Sequence, residues 1–229
     1  MTGRAGRLWR EWRLFIAFIV VMLVFRSAIA DWNQVPSGSM LPSILIGDRI
    51  VVNKLAYDLR VPFTLQRLAH WSTPQRGDVV TFTSPEDDRL LVKRVVALPG
   101  DVVELHQNRL TINGMTASYS PVDDAEQRSL PFQPRPGYRL YHENLFGRQH
   151  LVMLRADGRA GFAGSFPATT VPEGKYLMLG DNRDNSRDSR VIGFIDRDRI
   201  LGRATTVAFS LDYDHYYAPR MGRFLADLP

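Results

Sequence analysis

The sequence predicts a mainly β protein, a partly open, barrel-like fold of short antiparallel strands that follows one N-terminal apolar segment. Three observations carry this. From Arg49 onward the chain breaks into short runs rich in Val, Ile, Leu and Phe, bounded by Gly, Pro, Asn or Asp. Little of that stretch has the 3.6-residue periodicity of an amphipathic helix. The long apolar run, residues 14–25, stands at the N-terminus behind four arginines. With 229 residues, 45% of them hydrophobic, the chain has room for one or two domains and enough apolar side chains for a packed core.

Taken in order, Arg4, Arg7, Arg10 and Arg13 less Glu11 give residues 1–13 a charge of +3, most of the net +5. Such a basic tail keeps the N-terminus in the cytoplasm. Residues 14–30 would make a helix of about 26 Å, near the lower limit for a membrane span. Arg26 can snorkel to headgroups, and Trp9, Trp12 and Trp32 suit the two interfaces. A basic start, an apolar core and Ala28-Ile29-Ala30 also describe a cleaved secretory signal peptide. The residues alone leave both readings open, and in either the chain after Trp32 lies outside the cytoplasmic membrane.

Strands are expected over 49–53, after a Gly47-Asp48 turn, and over 78–82, after Arg76-Gly77. Another runs over 90–98 and stops at Pro99-Gly100-Asp101. Residues 102–105 and 110–112 follow as strands, and Asn113-Gly114 marks a tight turn. Residues 116–138 are polar and proline-rich, which predicts a surface excursion. Residues 150–154, 176–179 and 204–209 read as further strands. Met221, Phe224, Leu225 and Leu228 fall at i, i+3, i+4 and i+7, the spacing of a short terminal helix.

Composition excludes several chemistries. The absence of cysteine removes disulfides, thiolate metal sites and cysteine nucleophiles. The five histidines are scattered with no close ligand spacing, so neither a metal nor another cofactor is expected. No basic stripe is interleaved with aromatics, which argues against nucleic acid as a partner.

The chemistry-bearing residues lie in three places. Pro36-Ser37-Gly38-Ser39-Met40 stands just after the apolar segment and offers Ser39 as a nucleophile. A serine needs a base, and no histidine has a motif around it. Lys93 can serve if burial keeps its amine neutral. In a strand it shares a face with Leu91 and Val95, although a lysine there could equally protect a sheet edge. Ser37 could supply its hydroxyl to an oxyanion beside the Ser39 N–H, or simply cap a turn. The run from Gly180 to Arg190 admits three readings. It could be a solvated loop. It could be a calcium loop, although it lacks the internal glycine and has Ile195 where a glutamate is needed. Or it could be a scaffold in which Asp188 pairs with Arg190 and Ser186 orients the Lys93 amine.

Five segments together resemble type I signal peptidases, the bacterial membrane-bound Ser/Lys proteases. They are Pro36 to Pro42, Gly47 to Val52, Arg76 to Val80, Val92 to Asp101, and Gly180 to Arg190 with Gly193-Phe194, in the family's order. The resemblance implies Ser39 as nucleophile, Lys93 as general base, and Ser37 with the Ser39 N–H as oxyanion hole. It implies Ser186, Asp188 and Arg190 as the residues that orient and support the lysine. Val35, Met40, Ile44, Leu91 and Val92 then line shallow pockets for small side chains. The implied fold is two antiparallel β-sheet domains after one transmembrane helix. Residues 31–106 and 172–229 would form the catalytic domain, 107–171 an inserted variable domain, and 14–30 an uncleaved anchor. The implied activity is removal of signal peptides from exported preproteins after Ala-x-Ala-like sites, at the outer face of the bacterial inner membrane, with membrane phospholipid as a second partner. The chain departs from two-span members in having room for one span, and it lacks the cysteine pair of some relatives. Self-cleaving repressors, a silent membrane-tethered export factor and a peptidase dedicated to one secretion system are the rival readings.

Overall fold

The computed structural model describes residues 3–64, 66–161 and 163–228. The side chains of residues 3–11 are not among those described, so the expectations for Arg4, Arg7, Trp9 and Arg10 lie outside the described residues.

Helix α1 spans Gly3–Ala28, and its side chains from Leu14 to Arg26 are all exposed, Leu14 at 76% and Phe18 at 59%. Two contacts end it. Lys54 Nζ donates to the carbonyls of Arg26 (2.9 Å) and Ser27 (3.2 Å), so a cation satisfies the last turn. Arg26 turns back to Asp31 (2.7 Å) and lies over the Trp32 ring. The apolar segment expected to run through Ala30 as helix therefore stops at Ala28, and Ala30 starts a strand. Among the described residues no helix is long and apolar enough to cross a membrane.

The body is mainly β and antiparallel. Its main strands are β1 (Ala30–Gln34), β2 (Asp48–Asn53), β3 (Val79–Thr83), β4 (Leu90–Ala97), β5 (Val102–His106), β6 (Arg109–Ile112), β7 (Tyr138–Leu145), β8 (Arg148–Arg155), β9 (Phe166–Thr170), β10 (Lys175–Leu179) and β11 (Ile200–Asp212). The largest sheet runs β1-β2-β11-β3-β4-β10 and ends on Ile195–Asp196. Strand β11 reaches both β2 and β3, and its register shifts near Thr206 and Phe209 mark bulges, which bend a long strand. Alternation decides which side chains enter the interior: in β2 Asp48, Ile50 and Val52 are buried and the residues between them are not.

Strands β4 and β10 are neighbours, yet about eighty residues separate them in sequence. That excursion makes two smaller sheets. One is β9-β5-β6 with Met115–Thr116, and the other is Ser118–Pro121 with β7 and β8. Val103, Leu105, Leu110 and Ile112 pack with Val96, Leu177 and Leu179, which joins the first small sheet to the main one. The excursion is more ordered than its polar composition suggests. It contains the strand Ser118–Pro121 and helix α2 (Asp124–Ser129), whose N-cap Asp123 accepts from Glu126 N at 2.7 Å.

The expected C-terminal helix is absent. Met221–Arg223 form one 3₁₀ turn, Leu225 takes a positive φ of 54°, and Ala226–Asp227 pair with β11. The apolar spacing is overridden by Arg223, which is buried, donates to Asp48 Oδ2 at 2.6 Å and Ser43 O at 3.0 Å, and ties the tail to the sheet. Met221, Phe224 and Leu225 are left exposed.

Candidate active site

Ser39 sits in a 3₁₀ turn, Gly38–Met40, just after β1. The turn is held from both sides. Met40 accepts from Ile44 N at 3.0 Å within its own segment. From the far side Asn182 donates twice, through its backbone N–H to Ser39 O (3.2 Å) and through Nδ2 to Gly38 O (2.9 Å). Gly180 makes the approach possible: a Cβ there would stand 2.4 Å from Ser39 O and 2.2 Å from Ser186 Oγ.

Lys93 reaches this turn from β4, where it pairs with Val80 of β3. It is 2% exposed, and its Nζ donates to Ser39 Oγ at 2.7 Å and to Val92 O at 2.8 Å. Among the described residues no carboxylate forms an ion pair with it. Burial therefore dominates and lowers its pKa from 10.5 to about 8. Asp188 and Asp181 act from a distance in the opposite sense, and Arg190 adds to the lowering.

The neighbouring cation is treated differently. Arg94, also 2% exposed, gives Asp181 two hydrogen bonds, 2.9 Å from Nε and 2.8 Å from Nη2, and a third to Gly77 O at 2.9 Å. Burial works against the Asp181 carboxylate, the Arg94 guanidinium more than offsets it, and the pKa lies below the ordinary value. Behind this pair, Arg183 binds Glu143 at both oxygens (2.5 and 2.6 Å), and burial beside Arg94 pushes His150 down to about 4.

Asp188 receives Gly180 N at 2.9 Å and a two-point contact from Arg190, 2.8 Å from Nε and 2.7 Å from Nη2, and it caps helix α3 (Ser189–Ile192). Burial opposes its carboxylate and Arg190 outweighs burial, so its pKa is lowered. Ser186 makes no hydrogen bond to Lys93. Its Oγ is buried without a bond of normal geometry, though close enough to favour the Asp188 carboxylate. Ser37 is exposed and its side chain caps nothing, so its hydroxyl is free on the turn that carries the Ser39 N–H.

Val35, Met40 and Ile44 form one buried cluster, with half-buried Val92 at its edge. Leu91 is not with them. It packs against the cluster of Phe82, Val95 and Met178 instead. Two groups that shape the site did not stand out in sequence as site residues. Asn182 and Asp181 both lie in the polar run after Gly180, where residue type alone does not say which side chains turn inward. Among the described residues no group of three or more His, Asp or Glu could hold a metal. A wide cavity of about 850 Å³, lined by Arg67, Asp88, Asp198 and Arg199, contains none of the residues around Ser39.

A serine hydroxyl bonded to a buried, unpaired lysine amine is an arrangement that can perform nucleophilic chemistry without histidine. Residues 9–209 match the family described as signal peptidase, peptidase S26, and the chain belongs to that family. It is accordingly a serine endopeptidase. Signal peptidase I of Pseudomonas fluorescens is 36% identical over 211 residues, covering 86% of this chain and 70% of that protein. Signal peptidase I of Buchnera aphidicola subsp. Schizaphis graminum is 31% identical, covering 87% and 74%, and that of Aquifex aeolicus is 32% identical, covering 86% and 82%. A crystal structure of a signal peptidase I from Enterococcus faecalis is 30% identical over 58% of this chain and 98% of that one, with a TM-score of 0.36.

Proposed function

We propose that the protein removes N-terminal signal peptides from exported preproteins, cutting after small side chains of the Ala-x-Ala type, and that Ser39 and Lys93 perform the reaction. The observation that carries this reading is the 2.7 Å contact between the buried Lys93 amine and Ser39 Oγ. With its pKa lowered, Lys93 is neutral often enough to take the Ser39 proton as Oγ attacks the scissile carbonyl. The oxyanion that forms faces the Ser39 N–H and the Ser37 hydroxyl. The Lys93 ammonium then returns the proton to the leaving amine. In the second half of the cycle Lys93 takes a proton from water, which attacks the acyl-enzyme and frees Ser39. Asp188, Arg190 and Ser186 keep the wall behind the lysine rigid. Val35, Met40 and Ile44 are so fully packed that they floor only a shallow depression beside Val92, a fit for alanine.

The same reading makes the apolar part of α1, close to the lower length limit for a span, the membrane anchor, with the N-terminus cytoplasmic and the β body on the outer side. Its support is the ring of exposed apolar side chains from Leu14 to Phe25, with Trp12 and Trp32 at the two ends. The exposed Met221, Phe224 and Leu225 would add a second contact with phospholipid. On this reading residues 107–171 would be a second domain inserted into the catalytic one. Cleavage of a preprotein by full-length protein tests the reading. Ser39→Ala should fold and reach the membrane and cleave nothing. If it retains a tenth of wild-type turnover, the nucleophile is another residue.

A further inference from the structure

The inserted region passes close to Ser39, and that proximity suggests a role in recognition. Consecutive side chains of the nucleophile segment point apart. Met40 enters the cluster of Val35, Ile44 and Val92, whereas Leu41 enters that of Leu140 and Met153, together with Leu130, Phe132 and Tyr138. Phe132 belongs to the strap Pro131-Phe132-Gln133-Pro134-Arg135-Pro136-Gly137, which crosses from α2 to β7. Two cavities open along this strap. One, about 90 Å³, is lined by Gly38, Leu41, Phe132, Arg135 and Asn182. The other, about 370 Å³, shares Phe132 as a wall and is lined further by Leu130 and Leu151. The smaller cavity thus begins on the backbone beside the nucleophile and leads away from the small-residue pocket. Arg135 is its sole charged lining residue, is exposed, and has no side-chain partner among the described residues.

We propose that this groove receives the first residues of the mature chain, those that follow the scissile bond, and that Arg135 favours an acidic side chain among them. The inference rests on the peptidase reading above. A chain that crosses the reactive carbonyl must leave the small-residue pocket on the other side of Ser39, and the strap is what it meets there. The chemistry of exported chains fits a cationic wall. Lys and Arg just beyond an apolar segment hold that flank in the cytoplasm, so translocated flanks are poor in them. An arginine here therefore meets few like charges and can gain from Asp or Glu.

The test uses full-length protein in a neutral detergent and peptides with Ala at both small-residue positions. The second residue after the cut is Asp, Gly or Lys. Wild type should prefer Asp to Lys in kcat/KM by about two- to fivefold, the range of an exposed charge pair, and 1 M salt should erase the preference. Arg135→Ala should flatten the series and Arg135→Glu should invert it, each with cleavage of the Gly peptide intact. A wild-type series without preference, or a preference unchanged in Arg135→Glu, overturns the proposal. Failure of wild type to cut any of the peptides counts instead against the peptidase reading.

Discussion

The two faces of strand β4 solve one problem in opposite ways. Lys93 and Arg94 are adjacent, both 2% exposed, and both formally cationic. Arg94 is given a bidentate carboxylate from Asp181 and a backbone carbonyl, so its charge is compensated where it stands. Lys93 is given a hydroxyl and a carbonyl and, among the described residues, no carboxylate at ion-pair distance. The cost of taking a cation out of water is met by pairing on one face and by a lowered pKa on the other. On the proposed mechanism, what separates a structural cation from a base is therefore the partner, since burial is the same for both.

This contrast breaks first at Lys93. In Lys93→Arg the charge is kept, but guanidinium cannot deprotonate, and preprotein cleavage should fall to background. If the arginine variant cleaves, charge alone suffices and the two faces do not differ in kind. On the other face, Asp181→Asn leaves the Arg94 charge buried with a weaker partner. It should cost about 3–5 kcal/mol in urea unfolding, and joint replacement of Arg94 and Asp181 by apolar residues should recover most of that.

Lys93→Met separates the roles further. A lysine whose folded pKa lies below its unfolded value destabilises the fold while it stays protonated in the unfolded chain. With a folded value of about 8, that penalty is full below pH 8 and gone above the unfolded value. Lys93→Met should therefore be inactive yet more stable than wild type by about 3 kcal/mol at pH 7. Equilibrium unfolding at pH 7 and pH 10.5 should show that gain at the lower pH and little of it at the higher. A variant less stable than wild type at pH 7 would mean the amine is compensated as well as Arg94 is.

Asn182→Ala removes the side-chain half of the clamp, the Nδ2 bond to Gly38 O, while the backbone N–H to Ser39 O and both cations stay in place. Misplacement of the nucleophile should lower kcat by up to about a hundredfold with KM nearly unchanged, and the midpoint of the pH profile should not move. A rise in KM with kcat preserved would make Asn182 a substrate contact instead.

The sequence carried the family and the mainly β architecture through residue types that have few other uses. A lysine flanked by Leu91, Val92, Val95 and Val96 is conspicuous because lysine is so seldom buried. The partners within the polar run were less legible. Asp181, Asn182, Asp184 and Asp188 look alike in a string, and only the register of β10 against β4 turns Asp181 toward Arg94. Leu91 follows the same logic: it shares a strand with Lys93, but packing sends it to the cluster on Phe82. Helix α2 escaped because its six residues, all polar but Ala125, have no apolar period, although Asp123 three residues before Glu126 is a capping pattern. The C-terminal helix was suggested by four apolar residues over eight positions, too short a run to resist an ion pair between Arg223 and Asp48.

The central claim is that Lys93 is a base because it is buried without a carboxylate partner. The chain has three lysines, Lys54, Lys93 and Lys175, so ¹³Cε-labelled lysine gives a simple spectrum. The resonance missing in Lys93→Met identifies Lys93, and its shift can be followed from pH 6 to pH 11 in folded protein. We expect a midpoint near 8. A midpoint at or above that of an ordinary lysine, about 10.4, would contradict the account, because the amine would then be charged throughout the working range.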